Sequence, residues 1–226
     1  MGGAWAVLVA AGRGERLGED RPKAFARLGD LPLLAEPLRR LDESGPVDGI
    51  VVVAPAGWEE PTILLAEQIG ASKVSACVTG GATRADSVRT GLDEVPADAA
   101  VVLVHDAARP LLPSGVVDRL FAALGEGFDG AVPGLPVSDT VKRTAGGIVV
   151  ETLARDELVA VQTPQAFVAS VLRAAFSASD KLLLATDCAS LVEAAGGRVK
   201  VVPGDERLLK VTTRADLERV EGLLGG

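Results

Sequence analysis

The stretch VLVAAGRGERLGEDRPK, Val7 to Lys23, decides the fold, because an apolar strand there hands over to a loop built for an anion. Trp5 to Val9 reads as a short buried strand, too brief for a core helix and bounded by glycine. Ala10 and Ala11 follow, small enough for a ligand to lie against the backbone. Gly12, Gly14 and Gly18 tolerate positive φ and leave amide N–H groups uncovered. Arg13, Arg16, Arg21 and Lys23 are interleaved with them, in a chain whose net charge is −8. A strand ending in such a loop is an anion cradle.

Two common phosphate motifs do not fit. The dinucleotide pattern G-x-G-x-x-G is missed by one residue, and Val53-Ala54-Pro55 offers no acid for a ribose at the end of the second strand. The P-loop needs Gly-Lys-Ser/Thr, whereas Lys23 follows Pro22. The loop therefore reads as a triphosphate site of a third kind.

Outward from this loop the chain alternates. Leu33 to Leu41 predicts a helix, Gly49 to Ala54 a second strand, Pro61 to Ile69 a helix and Val74 to Val78 a third strand. In the glycine-rich run Thr79 to Ser87, Thr83 is the expected N-cap and Asp86 its third-position carboxylate. Ala100 to Val104 is a fourth strand running into His105-Asp106-Ala107-Ala108-Arg109-Pro110, and Ser114 is expected to cap the helix after it. Later elements are Leu158 to Gln162 as a strand, then Thr163-Pro164-Gln165 and a helix to about Phe176. A helix opened by Thr186-Asp187 follows, then a strand over Val199 to Val202, Leu208 to Val211 presenting Lys210, and a last helix from Arg214 to Leu224. The pattern predicts an α/β fold with a mainly parallel sheet and helices on both faces. Ligands bind such sheets at the carboxyl ends of strands, so the arginine-glycine loop, the GGATR loop and HDAARP should share one crevice.

Residues 134–157 break the alternation. Gly134 to Pro136 is expected to interrupt the chain, and Val137 to Arg143 and Ile148 to Arg155 flank a glycine turn as a hairpin. An arm of this size is not stable alone. It reads as an insertion in a single domain spanning 1–226 that packs on a second subunit, which predicts a homodimer.

Composition limits the function classes. With pI near 4.8, a global basic face for nucleic acid is excluded. No apolar run reaches the roughly 18–20 residues of a membrane span, and the N-terminus lacks the pattern of a signal peptide. Cys77 and Cys188 are far apart and form no redox or metal spacing, so a reducing cytoplasmic setting is expected. The chain has no Asn, three Gln and one Met, with 17 Arg against 6 Lys, a balance expected of a heat-adapted source.

Taken in order, AAGRGERLGEDRPK, GGATRADSV, LVHDAARP, DTVKR, TPQ, TDCAS and LLKVT closely resemble the 2-C-methyl-D-erythritol 4-phosphate cytidylyltransferases over essentially the whole length. The resemblance implies a Rossmann-like nucleotidyltransferase fold and a homodimer joined by a curved arm. It also implies cytidylyl transfer from CTP to a small polyol phosphate, with Mg2+ and release of pyrophosphate. Arg16, Lys23 and Lys210 would then hold the triphosphate and the transition state. Ala10, Ala11, Gly12, Gly14, Gly81, Ala82, Ser87 and Asp106 would bind the nucleotide, Asp106 through the ribose or the metal. Arg109, Thr140, Arg155, Thr163 and Asp187 would hold the polyol phosphate, with Thr140 and Arg155 reaching the other subunit's site. His105 reads as structural, since no proton needs moving. Three positions depart from the family pattern: Ala24 stands where Gln is usual, Cys188 where an acid is common in TDEAS, and Ala82 where an acid is frequent. The same nucleotide loops would serve a ribitol-5-phosphate cytidylyltransferase, a nucleotidyltransferase for another base, or a non-catalytic nucleotide sensor.

Overall fold

The computed structural model describes residues 2–12, 14, 20–178 and 186–224. Arg13, Arg16 and Gly18 of the first loop lie outside the described residues.

Apolar, β-branched runs build a parallel half-sheet. Its strands are β1 (Ala4–Val9), β4 (Gly49–Ala54), β5 (Val74–Thr79) and β6 (Val101–Asp106), in the order β5-β4-β1-β6. β1 pairs in parallel with β4 on one side and β6 on the other, and Val9 stands opposite both Val53 and Asp106. β2 (Arg27–Leu28) and β3 (Leu31–Pro32) make a separate small ribbon. Beyond β6 the sheet becomes mixed. β7 (Gly130–Pro136) and β11 (Gln165–Val168) continue it, β10 (Val159–Val161) pairs antiparallel with the far end of β7, and β12 (Val199–Pro203) runs parallel to β7.

Side-chain alternation along β1 sorts the core. Ala6 and Leu8 face a cluster that takes in α1 (Ala35–Asp42), α2 (Glu59–Gln68) and α4 (Ser114–Gly125). Val7 faces the other cluster, with α3 (Arg84–Asp93), α5 (Ala169–Ala178) and α6 (Cys188–Ala194). Both faces of the sheet are therefore covered, which is why β4 is buried at every residue. The last helix, α7 (Arg214–Leu224), inserts Leu217 and Val220 beside Leu28, Leu33 and Val211. No described helix is long and apolar enough to cross a membrane.

Helix α3 lies close on the sheet because Gly91 has no side chain: a Cβ there would stand 2.6 Å from Val7 Cγ1 and 2.7 Å from Val53 Cγ2. Its far end is held by Arg173 of α5, whose guanidinium donates to the carbonyls of Leu92 (3.0 Å), Val95 (2.7 Å) and Pro96 (3.3 Å). Leu92 O lies in the last turn of α3, where a helix runs out of intrahelical donors, and Val95 and Pro96 follow its end. Leu92 O and Pro96 O also accept backbone N–H groups, so Arg173→Met is expected to lower unfolding stability by about 2 kcal/mol, by taking the donor from Val95 O and removing a cation from the helix C-terminus. A urea titration checks this, and a change under about 0.5 kcal/mol would mean that water replaces the guanidinium without cost.

Three local expectations need correction. Gly134 to Pro136 does not break the chain but completes β7, because its backbone is paired with β10 and β12. A strand, β11, occupies Gln165–Val168 where a loop and the start of a helix were expected; four residues facing β6 are too few to show a period. Ser114 is the first helical residue, with Pro113 in the extended cap position. A 3₁₀ turn over Glu206–Leu208 leads into Lys210, and the Val211 N–H donates to Ala108 O at 2.8 Å. The arm hairpin is present as β8 (Lys142–Ala145) and β9 (Ile148–Thr152), with its turn at Gly146 and Gly147, both at positive φ.

Candidate active site

Three strand ends are stitched side by side. The Ala10 N–H donates to Val53 O (2.8 Å), the Gly80 N–H to Ala54 O (2.9 Å) and the Ala107 N–H to Val9 O (3.0 Å). The loops after β1, β5 and β6 therefore open on one crevice of about 290 Å³. Ala10, Ala11 and Gly12 line it from the first loop, Gly81, Ala82, Arg84 and Ser87 from the second, and Asp106 from the third. Lys23 and Lys210 enter from two other segments. A neighbouring cleft of about 560 Å³ shares Ala11, Gly81 and Ala82 and passes Arg21 and Pro22.

Small residues make this packing feasible. Gly14 has φ +69°, and a Cβ on it would stand 2.4 Å from Lys23 Cβ, so the loop folds directly back on the lysine. Lys23 in turn donates to Val211 O at 3.2 Å, one residue past Lys210. The two lysines are thereby brought to one wall.

The second loop is braced from within. Thr83 and Asp86 form the expected capping box, in which the Asp86 N–H donates to Thr83 Oγ1 (3.0 Å) and the Thr83 N–H to Asp86 Oδ2 (3.2 Å). Ser87 Oγ donates to Thr83 O (2.9 Å) and accepts from the Gly81 N–H (3.1 Å). Its one proton is spent inside the loop, so toward a ligand it offers only a lone pair. That suits an amino group such as the exocyclic amine of cytosine.

Asp106 is the electrostatic centre. Oδ1 accepts from Arg84 Nε at 2.9 Å, and Oδ2 from Lys210 Nζ at 2.7 Å. Burial would push its carboxyl up, but the charges of Arg84 and Lys210 outweigh burial and hold it well below the usual carboxylate range. Arg84 was not among the site residues read from the sequence. The GGATR motif contains it, yet only the sheet order shows that the start of α3 lies beside the end of β6.

Beneath Asp106 runs a directional chain of hydrogen bonds. The Asp106 N–H donates to Thr163 Oγ1 (3.0 Å), which is 3.1 Å from His105 Nδ1, while His105 Nε2 is 3.0 Å from Arg109 O. A carbonyl only accepts, so Nε2 carries the proton and the Thr163 hydroxyl donates to Nδ1. Thr163 is thus committed to holding Asp106 and has no proton for a substrate. His105, the only histidine, is fully buried, and burial pulls its pKa down to about 4 from 6.5. The unfolded chain therefore takes up this proton first as pH falls, and stability present above about pH 6.5 is lost toward pH 4. The expected loss between pH 7 and pH 5 is about 2 kcal/mol. Urea midpoints at the two pH values check this, and His105→Gln should remove most of the difference.

Arg109 spans three segments: its guanidinium donates to Leu208 O (2.5 Å) and to Val161 O (3.5 Å). Burial lowers its pKa, partly offset by Asp106. Asp187 caps α6, taking the Ser190 N–H on Oδ1 (3.0 Å) and Gln165 Nε2 on Oδ2 (2.8 Å). Gln165 also accepts from the Cys188 N–H (3.1 Å), so it ties the strand after Thr163-Pro164 to that helix. Cys188 is buried, its thiol pushed up to about 11 by burial, and is neutral. Thr140 and Arg155 are exposed on the arm segment, Arg155 donating to Ser138 O at 2.6 Å, and neither lines the crevice.

Among the described residues no three His, Cys, Asp or Glu side chains gather as a metal cage, and Asp106 is the one carboxylate lining the crevice. This donor set suits a divalent ion that arrives on a triphosphate, keeps most of its waters and takes a single protein carboxylate.

Comparison with known proteins identifies the family of the chain. The 2-C-methyl-D-erythritol 4-phosphate cytidylyltransferase family model matches residues 4–225. The enzyme of that name from Nocardia farcinica is 47% identical over 97% of this chain and 93% of its own length. That from Saccharopolyspora erythraea is 45% identical over 97% and 98%. The crystal structure of the 2-C-methyl-D-erythritol 4-phosphate cytidylyltransferase from Thermus thermophilus superposes with a TM-score of 0.78 at 33% identity, covering all of both chains. Sequence and fold agree over the full crevice-bearing sheet, and the chain belongs to the 2-C-methyl-D-erythritol 4-phosphate cytidylyltransferase family.

Proposed function

We propose that this protein transfers the cytidylyl group of CTP to 2-C-methyl-D-erythritol 4-phosphate, giving the cytidine diphosphate derivative and pyrophosphate. The observation that carries this reading is the crevice at three strand ends, where Lys210 and Arg84 pair with a single carboxylate and Lys23 lines the same wall, in a chain of this family.

The nucleophile is a phosphate monoester oxygen, already anionic at neutral pH. It forms a bond to the α-phosphorus while the bond to the bridging oxygen breaks, and pyrophosphate leaves with that electron pair. No general base is required, which agrees with a neutral, buried His105. The obstacle is anion–anion approach and the charge that builds in the transition state, so fixed cations and backbone amides are the catalytic apparatus. Lys23 and Lys210, with Arg16, take that role. Ala10, Ala11, Gly12 and Gly14 give backbone to the phosphates, Gly81, Ala82 and Ser87 hold the base, and Asp106 meets the ribose or a metal. Mg2+, when bound with the nucleotide, would neutralise phosphate oxygens on the face that Asp106 approaches.

Residues 134–157 serve as a dimerisation arm on one nucleotidyltransferase unit covering 1–226. The support is apolar side chains left facing solvent: Ile148 is 72% exposed, with Val149 and Val150 also bare. In a homodimer Thr140 and Arg155 would reach the partner's site, where with Arg109 they bind the polyol phosphate. Thr163 serves that site by holding Asp106, and Asp187 by capping α6. The setting is cytoplasmic, and the Asn-free composition fits a heat-adapted source, for which a melting temperature in the mesophile range would be the contrary result.

Pyrophosphate release tests the reaction. It is expected with CTP, Mg2+ and methylerythritol 4-phosphate, and not with the other nucleoside triphosphates. Release with ribitol 5-phosphate instead would overturn the acceptor, and silence from folded, dimeric protein would overturn the catalytic reading.

A further inference from the structure

Arg84 is the first residue of α3, directly after its Thr83 cap. Nε and Nη2 both approach Asp106 Oδ1 at 2.9 Å, and Nη1 lies 3.7 Å from the Cys188 sulfur. Asp106 Oδ2 is left to Lys210. Thr163 takes the Asp106 backbone N–H, and Arg109 acts on the carboxylate by charge alone.

The two cations differ in freedom. The Arg84 side chain is 26% exposed and wedged between Asp106 and Cys188, whereas that of Lys210 is 43% exposed on a flexible stem. A planar guanidinium is suited to a fixed pairing and an ammonium to moving between partners. The charge count matters as well. Asp106 and Lys210 alone sum to zero, and a carboxylate so placed would keep the ammonium for itself. With Arg84 present the three groups sum to +1 at the wall that a triphosphate must approach.

We propose that Arg84 is a positioning residue acting through Asp106: by neutralising the carboxylate it lets Lys210 leave Oδ2 for the phosphates of the incoming nucleotide. Asp106 is never left as an unpaired buried charge when this happens, because Arg84 stays on Oδ1. Oδ2 then becomes available to the ribose or to a nucleotide-borne cation. The inference rests on the reading above that the crevice takes CTP.

The test is a double-mutant cycle read by calorimetric titration of CTP and of cytidine without added divalent cation. Wild type, R84M, D106N, R84M/D106N and R84K are compared, each first shown to be folded by a thermal melt. R84M is expected to weaken CTP about tenfold or more while cytidine changes less than about twofold. Adding D106N to R84M should restore most of that loss, since no carboxylate remains to sequester Lys210. R84K, which keeps the charge, should stay within about threefold of wild type. An equal loss with and without D106N, or equal losses for CTP and cytidine, would show Arg84 to be only a brace and overturn the proposal. If R84M does not fold, R84K decides, and a tenfold loss of CTP affinity in folded R84K counts against a charge role. Wild type that binds no CTP at all removes the functional reading, and the inference with it.

Discussion

Lys23→Ala is expected to lower the turnover of cytidylyl transfer about a thousandfold while leaving the fold nearly intact. The cation faces the crevice and its Nζ reaches Val211 O on the Lys210 segment, so its removal strips positive charge from where the triphosphate must lie. The loss should fall on kcat as much as on KM, because an α-phosphoryl group gains charge toward the transition state. Alanine keeps the Cβ that Gly14 packs against, and the 3₁₀ turn over Lys23–Phe25 is held by backbone bonds and the burial of Phe25. A melting curve within a few degrees of wild type, beside a near-silent pyrophosphate assay, is the expected pair of results. Turnover like that of wild type would sink the catalytic assignment.

Dimers mixed from Arg109→Ala and Arg155→Ala subunits should regain activity that neither homodimer has. Arg109 is anchored within its own protomer by Leu208 O and Val161 O, while Arg155 stands on the exposed arm segment. If the arm crosses a two-fold axis, one site in each heterodimer carries both defects and the other carries neither. Verified heterodimers should then show about half the activity of wild type, whereas sites built within one subunit would each keep one defect and recover nothing. Each homodimer is expected to fall about a hundredfold, since each lacks one cation for the acceptor phosphate. A single mass measurement in solution decides beforehand whether dimers exist at all.

The class of the fold was legible because strand and helix periods are local. Val51, Val52 and Val53, followed at a distance by a helix, can do little else than form a sheet strand covered on both faces. The Thr83 capping box and the arm hairpin were legible for the same reason, since one joins residues three apart and the other is set by a two-glycine turn. Lys23, Asp106 and Lys210 could be named from their motifs, and the crevice joins all three.

What the sequence could not carry is pairing between distant segments. β11 and the completion of β7 follow from neighbours in the sheet, not from any period in four to seven residues. Arg84 on Asp106, twenty-two positions apart, and Lys210 on the same carboxylate, 104 positions away, exist only because β6 lies beside β1 and the chain returns past both. Thr163 and Asp187 show the converse: their motifs suggested substrate contacts, but neither lines the crevice, the Thr163 hydroxyl proton is given to His105, and Asp187 accepts from Gln165 and from Ser190 at the start of α6. Sequence alone determined the parallel half-sheet, its helices and the motifs that carry Lys23, Asp106 and Lys210. Only the tertiary structure decided which of those polar groups remain free to act, because a side chain's hydrogen-bonding capacity is finite and distant segments use part of it first.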